Sequence, residues 1–376
     1  MVEWKKLGDI TNRNKGIPIT AGQMQELASD DGNVRVFAAG STIADINESN
    51  LPANCAYKLP SIIVKSRGYI DFEFYEKQFT HKNEMWSYSF EDRELGKFIY
   101  YFLTTKTEFF RKKAKANSVK LPQLCVADTD GYLIPIPSLA ERNRIVGILD
   151  TFTSSIENLK QQIAERRKQY EYYRDQLLDL EGKEGVKMKI VKEVFDTRNG
   201  YTPSTNNPEF WDNGTLPWFK MEDIRDNGRI LNDSILHITP KAIKGKGLFK
   251  ANSIILATSA TIGEHALITV DHLSNQRFTN FYPNKKMEDR INNKYVYYYM
   301  FKIDEWCKQH VNQGGFASVD MSGLYGLSFP IPTLEEQSRI VSILDTFDAS
   351  IQNLKAQLKE REKQYEYYRN KLLTFE

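Results

Sequence analysis

The sequence predicts an α+β (α/β-like) protein built as an internal duplication, with two globular domains separated by two long helices of coiled-coil character. Three observations predict it. A segment starting at Pro135, Pro-Ile-Pro-Ser-Leu-Ala-Glu-Arg-Asn-Arg-Ile-Val-Gly-Ile-Leu-Asp-Thr-Phe, returns at Pro330 as Pro-Ile-Pro-Thr-Leu-Glu-Glu-Gln-Ser-Arg-Ile-Val-Ser-Ile-Leu-Asp-Thr-Phe. The heptapeptide Lys-Gln-Tyr-Glu-Tyr-Tyr-Arg at residues 168–174 recurs unchanged at 363–369. The stretches ahead of each copy are far less alike, yet share an outline of short strands, turns and a closing helix. The order is variable block, fixed block, variable block, fixed block, with boundaries expected at 1–134, 135–181, 182–329 and 330–376.

Each variable block opens with a short amphipathic segment ending in an acidic residue, at 5–9 and 192–196, followed by a glycine-and-proline turn. Ser-Ile-Ile-Val at 61–64 and Ser-Ile-Ile-Leu at 253–256 are buried-strand candidates in similar positions. Lys97 to Phe102 corresponds to Lys294 to Tyr299, each opening a helix near the end of its block. The stretches between read as alternating strands and turns, giving two diverged copies of one α/β or α+β domain.

The fixed blocks read as one long helix each. Pro137 and Ser138 with Glu141, and Pro332 and Thr333 with Glu336, form proline-led starts and capping boxes. Beyond them, Phe152, Ile156, Leu159, Ile163, Tyr170, Tyr173 and Leu177 fall on one stripe, with Arg166 filling its one gap. Phe347, Ile351, Leu354, Leu358, Tyr365, Tyr368 and Leu372 repeat that stripe, with Arg361 in the gap. Each helix has room for about 40 residues, roughly 60 Å. Packing of the two stripes would let the arginines fix register; the alternative is that they extend to solvent. Tyr172 and Tyr367 fall off the stripe. With Arg174 and Arg369 they are candidates for docking another protein, against ordinary rim packing. Residues 180–189 read as the linker between halves.

Composition bounds the function. At 376 residues, 41% apolar and 27% charged, the chain has room for two or three cores. Residues 1–20 lack a basic start and apolar stretch, and no apolar run approaches the ~18 residues of a bilayer span, so a cytoplasmic protein with no membrane partner is expected. Cys55, Cys125 and Cys307 are widely spaced without a CxxC pattern, which predicts reduced thiols, two or three of them buried. A formal charge of +2 is too small to announce a nucleic-acid binder by bulk electrostatics. There is no GxxxxGK[ST] phosphate loop, Gly-rich dinucleotide fingerprint or HExxH pair. Residues 206–210 superficially resemble the Asn-Pro-Pro-Phe motif of amino-methyltransferases, but Glu209 replaces the second proline and a turn is expected. His265 and His272, near Glu264 and Asp271, lack a third convincing ligand and are expected as ordinary surface or turn histidines.

Further motifs give the pattern a familiar form. A domain ending in Pro-Ile-Pro, a Leu-x-Glu-x-x-x-Ile helix, repetition of the whole unit, and Gly-Tyr-Thr-Pro-Ser at 200–204 together resemble the specificity subunit of a Type I restriction-modification system. Residues 211–218 (Trp-Asp-Asn-Gly-Thr-Leu-Pro-Trp) and 275–278 (Asn-Gln-Arg-Phe) are similar to elements of that family's target recognition domains. In the first domain Gly-Ile-Pro-Ile at 16–19 is a shortened echo, and the tryptophan-rich segment is absent.

The resemblance implies that each variable domain reads one half of an asymmetric, bipartite target in double-stranded DNA. The helices, paired antiparallel, would act as spacer and as platform for two modification (methyltransferase) subunits, relating the domains by a pseudo-twofold axis. Restriction (translocase/nuclease) subunits would complete the complex. S-adenosylmethionine, ATP and magnesium would belong to partner subunits; this chain is expected to hold no cofactor and no catalytic site.

Candidate phosphate contacts are Arg111, Lys112, Lys113 and Lys120 in the basic run at 111–120, and Lys244 and Lys246 beside flexible glycines. A solvated charge run is the alternative for each. Candidate base readers, chosen as directional side chains near strand ends, are Arg35, Lys65, Arg67 and His81 in the first domain. Lys220, Arg225, Thr258, Ser259, Gln276 and Arg277 are their counterparts in the second. Against DNA recognition stand two other readings, a coiled-coil protein-interaction scaffold without DNA specificity, and an enzyme related to single-chain methyltransferase-nucleases.

Overall fold

The computed structural model describes residues 2–118, 120–312 and 317–375. The chain divides into two compact units: Met1–Gln161 with Lys355–Glu376, and Gln162–Leu354. In chain order, the first half contains β1 (Glu3–Lys6), β2 (Asn12–Lys15), α1 (Ala21–Leu27), β3 (Val34–Phe37), β4 (Ile43–Ile46), β5 (Ser61–Lys65), β6 (Asp71–Tyr75), β7 (Phe79–His81) and β8 (Trp86–Ser89). Then follow α2 (Arg93–Thr105), α3 (Thr107–Asn117), α4 (Val126–Asp130), β9 (Leu133–Ile136) and the long α5 (Leu139–Leu177). The second half opens with β10 (Lys187–Ile190), α6 (Val191–Val194), β11 (Phe195–Asn199), β12 (Leu216–Phe219), α7 (Met221–Asn227), β13 (Ile230–Leu231) and β14 (Leu236–Ile238). It continues with β15 (Ser253–Ala257), β16 (His265–Ile268), β17 (Leu273–Ser274), β18 (Phe278–Pro283), α8 (Asn293–Gln309), β19 (Val311–Asn312), β20 (Ser318–Val319), α9 (Met321–Gly326), β21 (Ser328–Ile331) and α10 (Leu334–Leu372).

The duplication extends to the strand order of both main sheets, with β13 and the β19–β20 ribbon added in the second unit. In the first unit β2-β8-β5-β6 form one antiparallel sheet, and β4-β3-β7 a second in which β3 runs parallel to β7. In the second unit β11-β18-β15-β16 repeat the antiparallel sheet, extended by the parallel β13, and β14-β12-β17 repeat the mixed one. Each domain is closed at its base by a two-stranded ribbon, β1 with β9 and β10 with β21.

The Ser-Ile-Ile segments sit at the centre of these sheets, as expected. Alternation sends Ile62 and Val64 toward α2, and Ile63 toward Phe37, Phe79 and Met85. Likewise Ile254 and Leu256 join the cluster of α8, while Ile255 and Ala257 pack with Phe219, Met221 and Ile224. Both faces are covered, so these strands read as continuous apolar runs.

Both α5 and α10 are 39 residues long. In the first unit Phe152 stacks on Tyr368 at 5.4 Å while Lys160 meets Glu362 at 3.8 Å, an antiparallel register. In the second unit Phe347 stacks on Tyr173 at 5.5 Å, the reciprocal contact. The arginines in the stripe gaps do not extend freely: Arg361 lies over Phe152 and Arg166 over Phe347, at 5.6 and 5.9 Å from the ring centres. A cation over an aromatic face keeps its charge at the rim while its stem covers the seam.

Three expectations need correction. The capping boxes are half formed: Ser138 and Thr333 accept from the backbone N–H of Glu141 and Glu336, both at 3.3 Å. The two glutamates turn instead to Arg144 and Arg339, whose two-pronged grip one turn on outcompetes the backbone. The expected linker at 180–189 begins with Leu180 buried in the second core and ends inside β10, where Met188 and Ile190 alternate with lysines. Of the cysteines only Cys307 is buried; Cys55 is half-buried and Cys125 exposed. Among the described residues, no helix is long and apolar enough to cross a membrane.

Candidate nucleic-acid interface

Equivalent strand ends converge in each unit. In the second, the turn after β11, the end of β15 and the loop from β17 to β18 meet. Gly200 N–H donates to Phe278 O at 2.9 Å, Tyr201 N–H to Ser274 O at 2.8 Å, and Thr258 N–H to Arg277 O at 3.0 Å. Thr202 bonds Gln276, and Thr258 Oγ1 lies 2.9 Å from Thr279 Oγ1. Ser259 forms a bridge with Ser318. Four of the proposed readers, Thr258, Ser259, Gln276 and Arg277, therefore share one loop cluster. Lys220 joins them, because it follows Phe219, whose carbonyl accepts from Asn275 N–H at 3.0 Å. The lysine loop is latched to the same turn: Tyr201 Oη donates to Ala242 O and accepts from Lys244 N–H. Lys244 and Lys246 are exposed, with no ion pair among the described residues.

The first unit repeats the arrangement. Ile17 N–H donates to His81 O at 2.8 Å, Leu124 N–H to Ser66 O at 2.8 Å, and Arg67 bridges Gln123 as Ser259 bridges Ser318. Arg67 is exposed at the position equivalent to Ser259. Lys120, also exposed, belongs to the segment beside it, since Gly68 N–H donates to Pro122 O at 2.8 Å. Val119 of the basic run lies outside the described residues. The two glycine turns explain the shortened echo. A Cβ on Gly16 would stand 2.1 Å from Lys82 O, and one on Gly200 would stand 2.2 Å from Asn275 O, so both domains require glycine at the same close approach.

Other proposed contacts are otherwise engaged. Arg35 faces Asp45 directly across β3 and β4 and holds both carboxylate oxygens at 2.8 Å, which keeps that carboxyl below its usual range. Lys65 is mostly buried against Glu73 at 2.7 Å. Arg111 pairs with Glu108 and donates to Ile70 O, and Lys113 meets Asp128 at 3.1 Å, whereas Lys112 is exposed. Arg225 lies 3.6 Å from Glu264. On the long helices Tyr172 and Tyr367 are 61% and 60% exposed, as a docking face requires. Arg174 instead turns inward over Phe301 at 4.9 Å and bonds Asp175, and half-buried Arg369 lies over Tyr365 at 5.5 Å.

The histidines overturn their reading. His81 is fully buried, with Nε2 3.1 Å from Ser87 Oγ, so its ring has no path to a base. His272 lies just ahead of β17, two positions before Ser274, the register match of His81, and is buried with its Nε2 on the equivalent partner, 3.0 Å from Asn280 Oδ1; Ser87 and Asn280 face Asn14 and Arg198 in the same register. Burial pushes both imidazoles down to about 4. His265 is also buried rather than on a surface or turn, its Nδ1 2.6 Å from Asp304 Oδ2, which Arg229 meets at 3.2 Å. Residues 206–210 end in a short 3-10 turn capped by Asn207. Sequence reading missed Lys15, Lys82, Gln123 and Ser318 at the clustered strand ends, since only the paired register reveals the first two as neighbours of the glycine turn.

Two diverged α+β domains that present loop clusters from equivalent strand ends, each followed by a copy of one long helix, define a duplicated two-site recognition protein. Residues 1–166 and 183–362 match the family described as Type I restriction modification DNA specificity domain, and the chain belongs to that family, as a specificity subunit with two target recognition domains. It is 33% identical over its full length, and 94% of the relative's, to the Escherichia coli EcoR124I/EcoR124II specificity subunit. To the Escherichia coli EcoprrI specificity subunit it is 47% identical over 54% of this chain and 53% of that one, so this second match spans about half the relative's length. Among solved structures, the S subunit of a Type I restriction-modification system from M. genitalium covers all of this chain with 97% of its own, at a TM-score of 0.62 and 16% identity. The last likeness is one of fold.

Proposed function

We propose that each domain reads one half of an asymmetric bipartite sequence in double-stranded DNA, with the paired helices setting the spacing and docking two modification subunits. The observation that supports this most directly is the pairing of one strand order with different residues at its ends: Arg67 occupies in the first domain the place of Ser259 in the second. A shared scaffold with unlike tips is what reading two unlike half-sites requires. The loop lysines Lys120, Lys244 and Lys246 hold phosphates and fix orientation, and the loop residues read base edges. The exposed faces around Tyr172 and Tyr367, identical in both helices, suit two copies of one partner. In this reading the chain is non-catalytic and works in the cytoplasm. S-adenosylmethionine, ATP and magnesium act on the modification and restriction subunits.

Single-molecule sequencing of DNA from cells expressing the chain with its methyltransferase partner tests the reading. A bipartite adenine-methylated motif should be present, and absent from cells that lack only this chain. An unchanged methylation pattern with the complex assembled would reject it.

A further inference from the structure

The two units share one anchor between recognition domain and helix and differ at a second. The shared anchor is an aspartate of the repeated Leu-Asp-Thr-Phe. Asp150 accepts from Lys97 Nζ at 2.7 Å and Tyr101 Oη at 2.6 Å; Asp345 accepts from Lys294 Nζ at 2.6 Å and Tyr298 Oη at 2.7 Å. Between Leu139 and Phe152 the helix differs from its copy at four positions. Ala140/Glu335, Asn143/Ser338 and Gly147/Ser342 are all exposed, and Arg142/Gln337 is the one buried difference.

That buried position meets the cap of the last domain helix in both units, with different chemistry. Arg142 Nη2 donates to Asp92 Oδ2 at 2.5 Å, and Asp92 caps α2 through its other oxygen. Gln337 has its polar groups used in full: Oε1 accepts from Asn292 N–H at 2.8 Å, and Nε2 donates to Arg290 O at 3.0 Å and Pro332 O at 2.9 Å. Asn292 is the neutral cap of α8. The cap precedes the anchoring lysine by five residues in α2 but by two in α8, so α2 starts about one turn farther from the common anchor. Arg142 meets the carboxylate of the cap itself, whereas Gln337 meets the backbone of Asn292 and of Arg290 ahead of α8.

We infer that this position is a key matching each recognition domain to its own helix, a property beyond the recognition of DNA itself. In Arg142→Gln the shorter side chain would fall short of Asp92, which would lose its charged partner and keep only the cap to Leu95 N–H. Gln337→Arg would bring a charge to a neutral cap and strip three backbone groups of their partner, and unpaired buried groups are costly.

Four full-length chains test the key: the native chain, the native chain with Arg142→Gln and Gln337→Arg, a chain with residues 3–136 and 187–331 exchanged, and the exchanged chain with both substitutions. The substitutions should lower the thermal midpoint by ~5 °C in the native arrangement and raise it by a similar amount in the exchanged one. Hydrogen exchange over residues 139–150 and 334–345 should change in the same directions. Folding of the exchanged chain only with the substitutions supports the key equally. A shift of the same sign in both arrangements, no shift in either, or failure of both exchanged chains to fold would overturn it. Midpoints are scored without DNA, so failure of the recognition reading would leave this result standing.

Discussion

His81 and His272 stand two register positions apart in the two domains, yet both are buried and both reach the matching position of the neighbouring strand, Ser87 and Asn280. Their rings hold the strand end to its neighbouring sheet in the neutral form, with pKa values of about 4. In the unfolded chain each protonates near pH 6.5. Stability from this source is therefore complete above pH 6.5 and is lost as the pH falls toward 4. At pH 5 each unit should be weaker than at pH 8 by about 2 kcal/mol. Urea unfolding of the native chain and of His81→Gln and His272→Gln variants, at both pH values, checks this; a variant with the full native pH dependence would contradict it. Residue type misled here. A histidine near a strand end reads as a polar contact, and only the pairing of β2 with β8 and β11 with β18 shows that it faces inward. Arg35 misled for the same reason, since its carboxylate partner appears only when β3 and β4 are laid in register.

At the scale of elements the sequence was far more legible. Long helices and all-apolar strands carry their periodicity over many residues, so α5, α10, β5 and β15 stand where expected. Short elements and contacts distant in sequence were not legible: β10 hides in a lysine-rich stretch, and Arg142 meets Asp92 across 50 positions. The aspartate anchors yield an asymmetric prediction. Tyr101 is 2% exposed, and in Asp150→Ala its hydroxyl keeps only Thr153, at 3.3 Å. Tyr298 in Asp345→Ala keeps the carboxylate of Asp348 at 3.0 Å. Losing a charged acceptor from a buried hydroxyl costs about 2 kcal/mol, so Asp150→Ala should destabilise its unit by about that much and Asp345→Ala by clearly less. Equal losses in chemical denaturation would show that the second carboxylate gives Tyr298 no support.

At the scale of the whole molecule, each unit has its own core and its own cluster of loop residues proposed to read DNA. The cluster around Ile62, Phe98 and Leu149 belongs to the first unit, and that around Ile254, Tyr295 and Leu344 to the second. Energetic effects on separate cores with no common partners add. Arg67 and Arg277 are exposed at the tips of different units, and neither is ion-paired among the described residues. Arg67→Ala should then relax sequence preference in one half of the methylated motif, Arg277→Ala in the other, and the double variant in both. A lost bidentate contact to a base is worth about 1–3 kcal/mol of discrimination, roughly 5- to 150-fold in the ratio of cognate to altered half-sites. Loss of a phosphate contact instead would weaken methylation uniformly across sequences and lessen its salt dependence by about one ion. Methylation maps of the three variants separate these outcomes. Relaxation of both halves by a single substitution would show that the units read the target jointly rather than in turn.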